Sequence, residues 1–177
     1  LASPDYAVRK ARYFDGSNWP TAFFDGVMGE PVAEVDSFYS KYRAAIAGAR
    51  AESARVTVAV DSARIWGDTA LAIAVRVAAT DTTLSGRLGL MLAAVVFEDS
   101  APYFSPLQGD TAYAHYCARR IAGGPWGVPV QPEFGSELDT MLVVRLGNWN
   151  RQRLGVAVFV QDTATLAVLQ STGRRRI

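Results

Sequence analysis

At Arg55 the hydrophobic period of this chain changes from 3.6 residues to 2, and that change limits what the chain can fold into. Before it, Val32, Val35, Phe38 or Tyr39, Tyr42, Ile46 and Ala49 recur at offsets of three and four. Such spacing places them on one face of a helix of about five turns. After it, Val56, Val58 and Val60 alternate with Arg55, Thr57, Ala59 and Asp61, and Leu71, Ile73, Val75 and Val77 alternate with Ala72, Ala74, Arg76 and Ala78. Successive strand residues point to opposite faces, so alternation predicts strands with one buried side. Further strands are expected at 88–98, 112–121, 138–147, 154–161 and 166–170. Short strands in that number, separated by turns, predict an antiparallel β-sandwich of immunoglobulin-like kind. Its shared core should contain Val58, Ile73, Leu92, Val144 and Val158. The segment 122–136, rich in Gly and Pro, is expected to be a long ordered loop.

The first fifty residues add a small α/β part to this mainly β chain. Ser3-Pro4-Asp5 combines a hydroxyl cap, a first-turn proline and an acid facing the helix dipole. It predicts a short helix to about Lys10. Asp15-Gly16 and Asp25-Gly26 are turn signals around the strand-like run from Thr21 to Phe24. Pro31 is expected to open the long helix, at 31–50, with Glu34 and Asp36 early and Arg43 and Arg50 late. The expected organisation is a segment 1–52, a sandwich 53–171 and a basic tail 172–177.

Composition removes several function classes. Half of the 177 residues are hydrophobic and 11% aromatic, which excludes intrinsic disorder. A single cysteine, Cys117, excludes an internal disulfide or a CxxC pair within the chain. The 18 basic residues barely exceed the 17 acidic ones, and three of them are Arg174, Arg175 and Arg176, so no broad nucleic-acid footprint is expected. The longest apolar run, Leu88 to Phe97, reaches only half of the ~20 residues that a membrane span needs. The chain opens with Leu, so a processed product or an excised piece is expected.

Few residues carry recognisable chemistry. His115 is the sole histidine, which excludes an HExxH zinc arrangement within the chain. A Ser-His-Asp triad remains open by count, although no GxSxG elbow occurs. Cys117 is expected on one strand with Tyr113, His115 and Arg119, where His115 on the same face offers a route to an activated thiol; a lone cysteine there is more often a small buried residue. Glu98, Asp99 and Asp110 flank one loop, and Glu133, Glu137 and Asp139 lie on another. Calcium is the cofactor such acids suggest, but the DxDxDG pattern is missing. Glu98 with one of the others is also a candidate glycosidase-like carboxylate pair. Tyr103, Phe104, Trp126 and Phe134 sit in irregular segments and form a candidate loop binding surface; folding over the ends of the sandwich is the commoner role for such rings. The three terminal arginines are expected to be a frayed tail.

Two stretches carry a resemblance. The sequence WPTAFFDG, from Trp19 to Gly26, resembles the part of thioredoxin-like folds where a cis-proline precedes a central strand. That resemblance implies a cis bond before Pro20, with the short helix before it and the long helix closing the domain. The pieces AAVVFEDS, YAHYCARR and VAVFVQDTATLAVLQS resemble the bacterial family related to outer membrane protein 28. There a thioredoxin-like half is followed by a β-sandwich half, in proteins carried to the cell envelope. The resemblance implies the C-terminal portion of a thioredoxin-like fold followed by the sandwich, in an exported, outer-membrane-associated or extracellular protein. It carries no catalytic signature, so a non-enzymatic binding, adhesion or assembly module is the leading expectation. The alternative is a thioredoxin-like thiol-redox protein whose active half lies upstream of Leu1. An incomplete first domain needs cover, so 1–50 should pack on the sandwich, on a second copy or on a protein partner. The stripe Val35, Phe38, Tyr42 and Ile46 is the surface most in need of it.

Overall fold

The computed structural model describes residues 5–13, 21–24, 27–31 and 38–177. The N-terminal segment contains helix α1 (Tyr6–Tyr13), the antiparallel strands β1 (Thr21–Phe24) and β2 (Val27–Pro31), and helix α2 (Phe38–Ala51). Pro31 ends β2 instead of opening the long helix. It lacks an N–H, and a strand terminus tolerates that loss. Residues 32–37, with Val32 and Val35, and the peptide bond before Pro20 lie outside the described residues.

The remaining strands are β3 (Val56–Trp66), β4 (Ala70–Ala79), β5 (Leu90–Glu98), β6 (Ala101–Ser105), β7 (Asp110–Ala114), β8 (Cys117–Ala122), β9 (Val128–Val130), β10 (Leu138–Arg145), β11 (Leu154–Asp162) and β12 (Val168–Arg175). One sheet has the order β10-β4-β3, and a larger one has the order β12-β11-β5-β8. Strand β11 pairs with β5 along its whole length, so β8 and β9 share the other edge of β5. There β9 faces Leu90–Leu92 and β8 faces Ala94–Glu98. The chain can step from one to the other only because of Gly127. Its φ is +86°, and a Cβ there would stand 2.1 Å from the Leu92 carbonyl oxygen. Strands β6 and β7 form a separate two-stranded hairpin.

Both larger sheets contribute to a single hydrophobic core, which makes the chain mainly β with the expected sandwich-like arrangement. Ile73, Leu92, Val144 and Val158 are buried in it, and Val58 packs against it partly buried. Each such side chain contributes roughly 1.5–3 kcal/mol by leaving water. The larger sheet is covered on its other side too. Asp5 at the start of α1 is buried and accepts the Ile121 N–H on β8 at 2.9 Å. One turn on, Arg9 donates to Gln161 Oε1 of β11 at 2.8 Å and lies over the rings of Phe159 and Trp126. The N-terminal segment therefore packs on the sandwich through α1. On α2, Tyr42 is half-buried and Ile46 is exposed.

Several boundaries differ from expectation for local reasons. Strand β3 continues past the alternating run to Trp66, because a bulge between Val60 and Ser62 absorbs one residue. The bulge restores the inward phase, from Val56, Val58 and Val60 to Ala63 and Ile65. The expected strand 112–121 is two strands, β7 and β8, broken at His115 and Tyr116, where Tyr116 has φ +51°. The Gly/Pro-rich loop includes β9. The last strand runs through Arg174 and Arg175, which pair with Val156 and Gly155, so most of the expected basic tail is ladder.

Candidate functional site

The end of the sandwich where β5 finishes and β11 begins gathers the candidate polar groups Glu98, Asp99, His115 and Cys117. Register brings Glu98 opposite Leu154 and Cys117, while Gly155 faces Arg175. Here a cleft of about 560 Å³ is lined by Asp99, Ser100, Tyr116, Gln152, Arg153, Arg175 and Arg176. Arg153 Nη1 donates to the Ser100 carbonyl at 2.9 Å, and the Arg175 guanidinium lies 5.0 Å from the Tyr116 ring centre. Tyr116 in turn makes an edge contact with Phe97. Among the described residues, the four non-glycine residues with positive φ are Ser100, Tyr116, Leu166 and Arg176. Three of them line this cleft. Sequence reading placed Arg175 and Arg176 in a frayed tail and missed them. The signal available was strand length: a nine-residue β11 needs an antiparallel partner long enough to reach its far end.

His115 lies beside Ser100 and Asp99 of the cleft wall, so a serine, a histidine and an aspartate do meet. Their geometry is not a catalytic triad. His115 Nδ1 is 2.8 Å from Asp99 Oδ1, and Ser100 Oγ lies 3.4 Å from the same nitrogen. A triad needs the carboxylate on one ring nitrogen and the hydroxyl on the other, so that the imidazole can take the serine proton. Neither contact reaches Nε2. The His115 hydrogen bond, with help from the Ser100 amide, holds the Asp99 carboxyl below its ordinary range. His115 and Cys117 also do not share a strand face, because the turn at Tyr116 separates the two strands. Cys117 is half-buried at the start of β8.

Four of the other carboxylates are engaged in structure. Glu98 is buried, accepts two hydrogen bonds from Arg119 at 2.9 and 2.6 Å, and takes the Asn150 N–H at 3.0 Å. That engagement removes it from a glycosidase-like pair. Asp110 accepts the adjacent Thr111 amide, Glu133 accepts Ser85 Oγ, and Glu137 pairs with Arg76. Asp139 is exposed on the outer side of β10. Among the described residues, no three His, Cys, Asp or Glu side chains converge as metal ligands.

The four candidate aromatic residues fall at opposite ends of the sandwich. Tyr103 and Phe104 are exposed on β6, at the cleft end. Trp126 lies under Arg9 beside Met91 and Gln161, near the start of β5. Phe134 bridges to Ala79 and donates its amide to Ser85 at that same far end. Nine residues of β5 span roughly 27 Å, so the four do not form one surface. Phe104 belongs instead to a patch on the β6–β7 hairpin, where the register puts Tyr113 on its face and Leu107 is fully exposed at the turn, while Tyr103 lies on the opposite face.

Comparison with known proteins shows the fold. HBP35 of Porphyromonas gingivalis superimposes with a TM-score of 0.78 at 13% identity, over 96% of this chain and 56% of that one. A domain of the outer membrane lipoprotein Omp28 from Porphyromonas gingivalis follows at 0.50 and 13% identity, over 71% of this chain and 90% of the domain. This chain thus spans little more than half of HBP35. No family model and no curated protein matches the sequence. Among the described residues, no helix is long and apolar enough to cross a membrane.

Proposed function

We propose that the chain is a non-enzymatic binding and assembly module of an exported cell-envelope protein related to the outer membrane protein 28 family. The observation that carries this reading is the β6–β7 hairpin. Phe104, Leu107 and Tyr113 are exposed on it, and among the described residues no third strand joins its two. A two-stranded hairpin is marginal in water on its own. Exposed rings beside unpaired strand edges suit a polypeptide partner that adds a strand and covers the apolar tip. Likeness to a domain of an outer membrane lipoprotein supports the envelope setting. We read the sandwich as immunoglobulin-like, and residues 1–52 as the closing portion of a thioredoxin-like fold. The order α1, antiparallel β1–β2, α2 supports that second reading.

The test uses the full-length protein in its source cells. A photo-crosslinking residue at Leu107 should trap a protein in the envelope fraction, whereas one at exposed Ser171 should not. Recovery in the cytoplasm, or equal cross-linking from both positions, would overturn the reading.

A further inference from the structure

We propose that the cleft between the ends of β5, β11 and β12 binds an oxyanion, a carboxylate or phosphate group, through Arg153, Arg175 and Arg176. Four arginines of the fold are matched with acids: Arg55 with Asp81, Arg76 with Asp61 and Glu137, Arg87 with Asp162, Arg119 with Glu98. The cleft gathers three that are not. Among the described residues, none of its three guanidiniums has a carboxylate within salt-bridge distance. Asp99, the acid on its wall, directs its Oδ1 at His115 and the Ser100 amide.

Two of the arginines are nevertheless positioned. Arg153 is tied to a carbonyl, and Arg175 lies against the Tyr116 ring. Neither contact cancels a charge, so both order a fork of N–H donors while leaving it cationic. Planar guanidinium forks match carboxylate and phosphate oxygens two at a time. The volume of about 560 Å³ lies in the range of small-molecule sites. Gln152 and Ser100 add an amide and a hydroxyl for the uncharged part of a ligand. Backbone strain points the same way. Ser100, Tyr116 and Arg176 all hold positive φ around one cleft, and such conformations concentrate where a site must be shaped.

The experiment titrates the full chain with inorganic phosphate and, separately, with citrate, at constant ionic strength set by chloride, and follows heat release. Saturable binding of phosphate alone assigns a phosphate-bearing ligand, and of citrate alone a carboxylate. Arg176→Gln removes a side chain without a hydrogen bond of its own among the described residues, so folding is not at stake. It should weaken binding roughly tenfold or more, the usual share of one charge-assisted contact. Arg64→Gln, on the exposed side of β3, should leave binding unchanged. No saturable binding of either anion, or equal effects of the two substitutions, would overturn the proposal. The hairpin cross-link does not involve these arginines, so the two readings fail separately.

Discussion

The two sheets of this sandwich are built to different rules. Strand β4, at the centre of the smaller sheet, alternates strictly between buried and half-exposed residues, Leu71, Ile73, Val75 and Val77 against Ala72, Ala74, Arg76 and Ala78. Beside it Met141 and Val143 on β10 are exposed. Strands β5 and β11 of the larger sheet are apolar on both sides, and Ala93, Gly155 and Gln161 are buried although they face away from the core. Alternation fits a sheet with one side in water, and a continuous apolar strand fits a sheet covered twice. Helix α1 supplies part of that second cover. It also closes the outer edge of β8, where Asp5 takes the Ile121 N–H that no strand would pair. The difference teaches that the N-terminal segment and the sandwich form one packed unit, with one open sheet and one covered sheet.

The strongest way to break this contrast is at Gly127. Alanine there meets the Leu92 carbonyl and keeps a positive φ, so the β8-to-β9 step beside β5 must distort. We expect Gly127→Ala to cost about 4 kcal/mol or more, measured by chemical denaturation. A midpoint close to that of the parent protein would show that the covered sheet does not depend on this passage. The next effect compares burial directly. Val158→Ala on β11 should cost about 1–3 kcal/mol through lost burial and a residual cavity. Val143→Ala on the open face should stay within about 0.5 kcal/mol. Equal losses would mean that the open face is covered in solution.

Much of this contrast was legible in the residues. The alternating pattern of β3 and β4, and the core membership of Ile73, Leu92, Val144 and Val158, follow from period alone. The run Leu88 to Phe97 already had the composition of a doubly buried strand, but nothing local named α1 as its cover. That contact joins Asp5 to Ile121 and Arg9 to Gln161 across more than a hundred residues. The bulge at Asp61 and the positive φ of Tyr116 were hidden for another reason. The first shifts the phase of β3 by one residue and the second breaks one expected strand into two, and neither has a glycine or proline to announce it. The arginine cleft was illegible because its side chains come from the end of β12 and the turn before β11, apart in sequence until the register joins them.

The smallest expected effect is electrostatic and lies on the open sheet. At the β4 end, hydrogen bonds from the Thr83 side chain and amide, then from Arg55, pull the Asp81 carboxyl down to about 2. A carboxyl depressed in the folded state stabilises above its unfolded value, near 4, and that contribution fades as pH falls toward 2. The acid limb of the stability profile should therefore flatten slightly in Asp81→Asn. An unchanged acid limb would show that this turn is not ordered by its carboxylate.

Amide hydrogen exchange at Ile121 tests most directly whether the two parts are one packed unit. In the parent protein this N–H should be protected, although it lies on the outer edge of β8. In Asp5→Ala it should exchange faster, while the core-side amides of β5 keep their protection, and the chain should lose about 1–3 kcal/mol of stability. Rapid exchange at Ile121 in the parent protein, or identical exchange in the two proteins, would contradict the docking of α1 and with it the covered sheet.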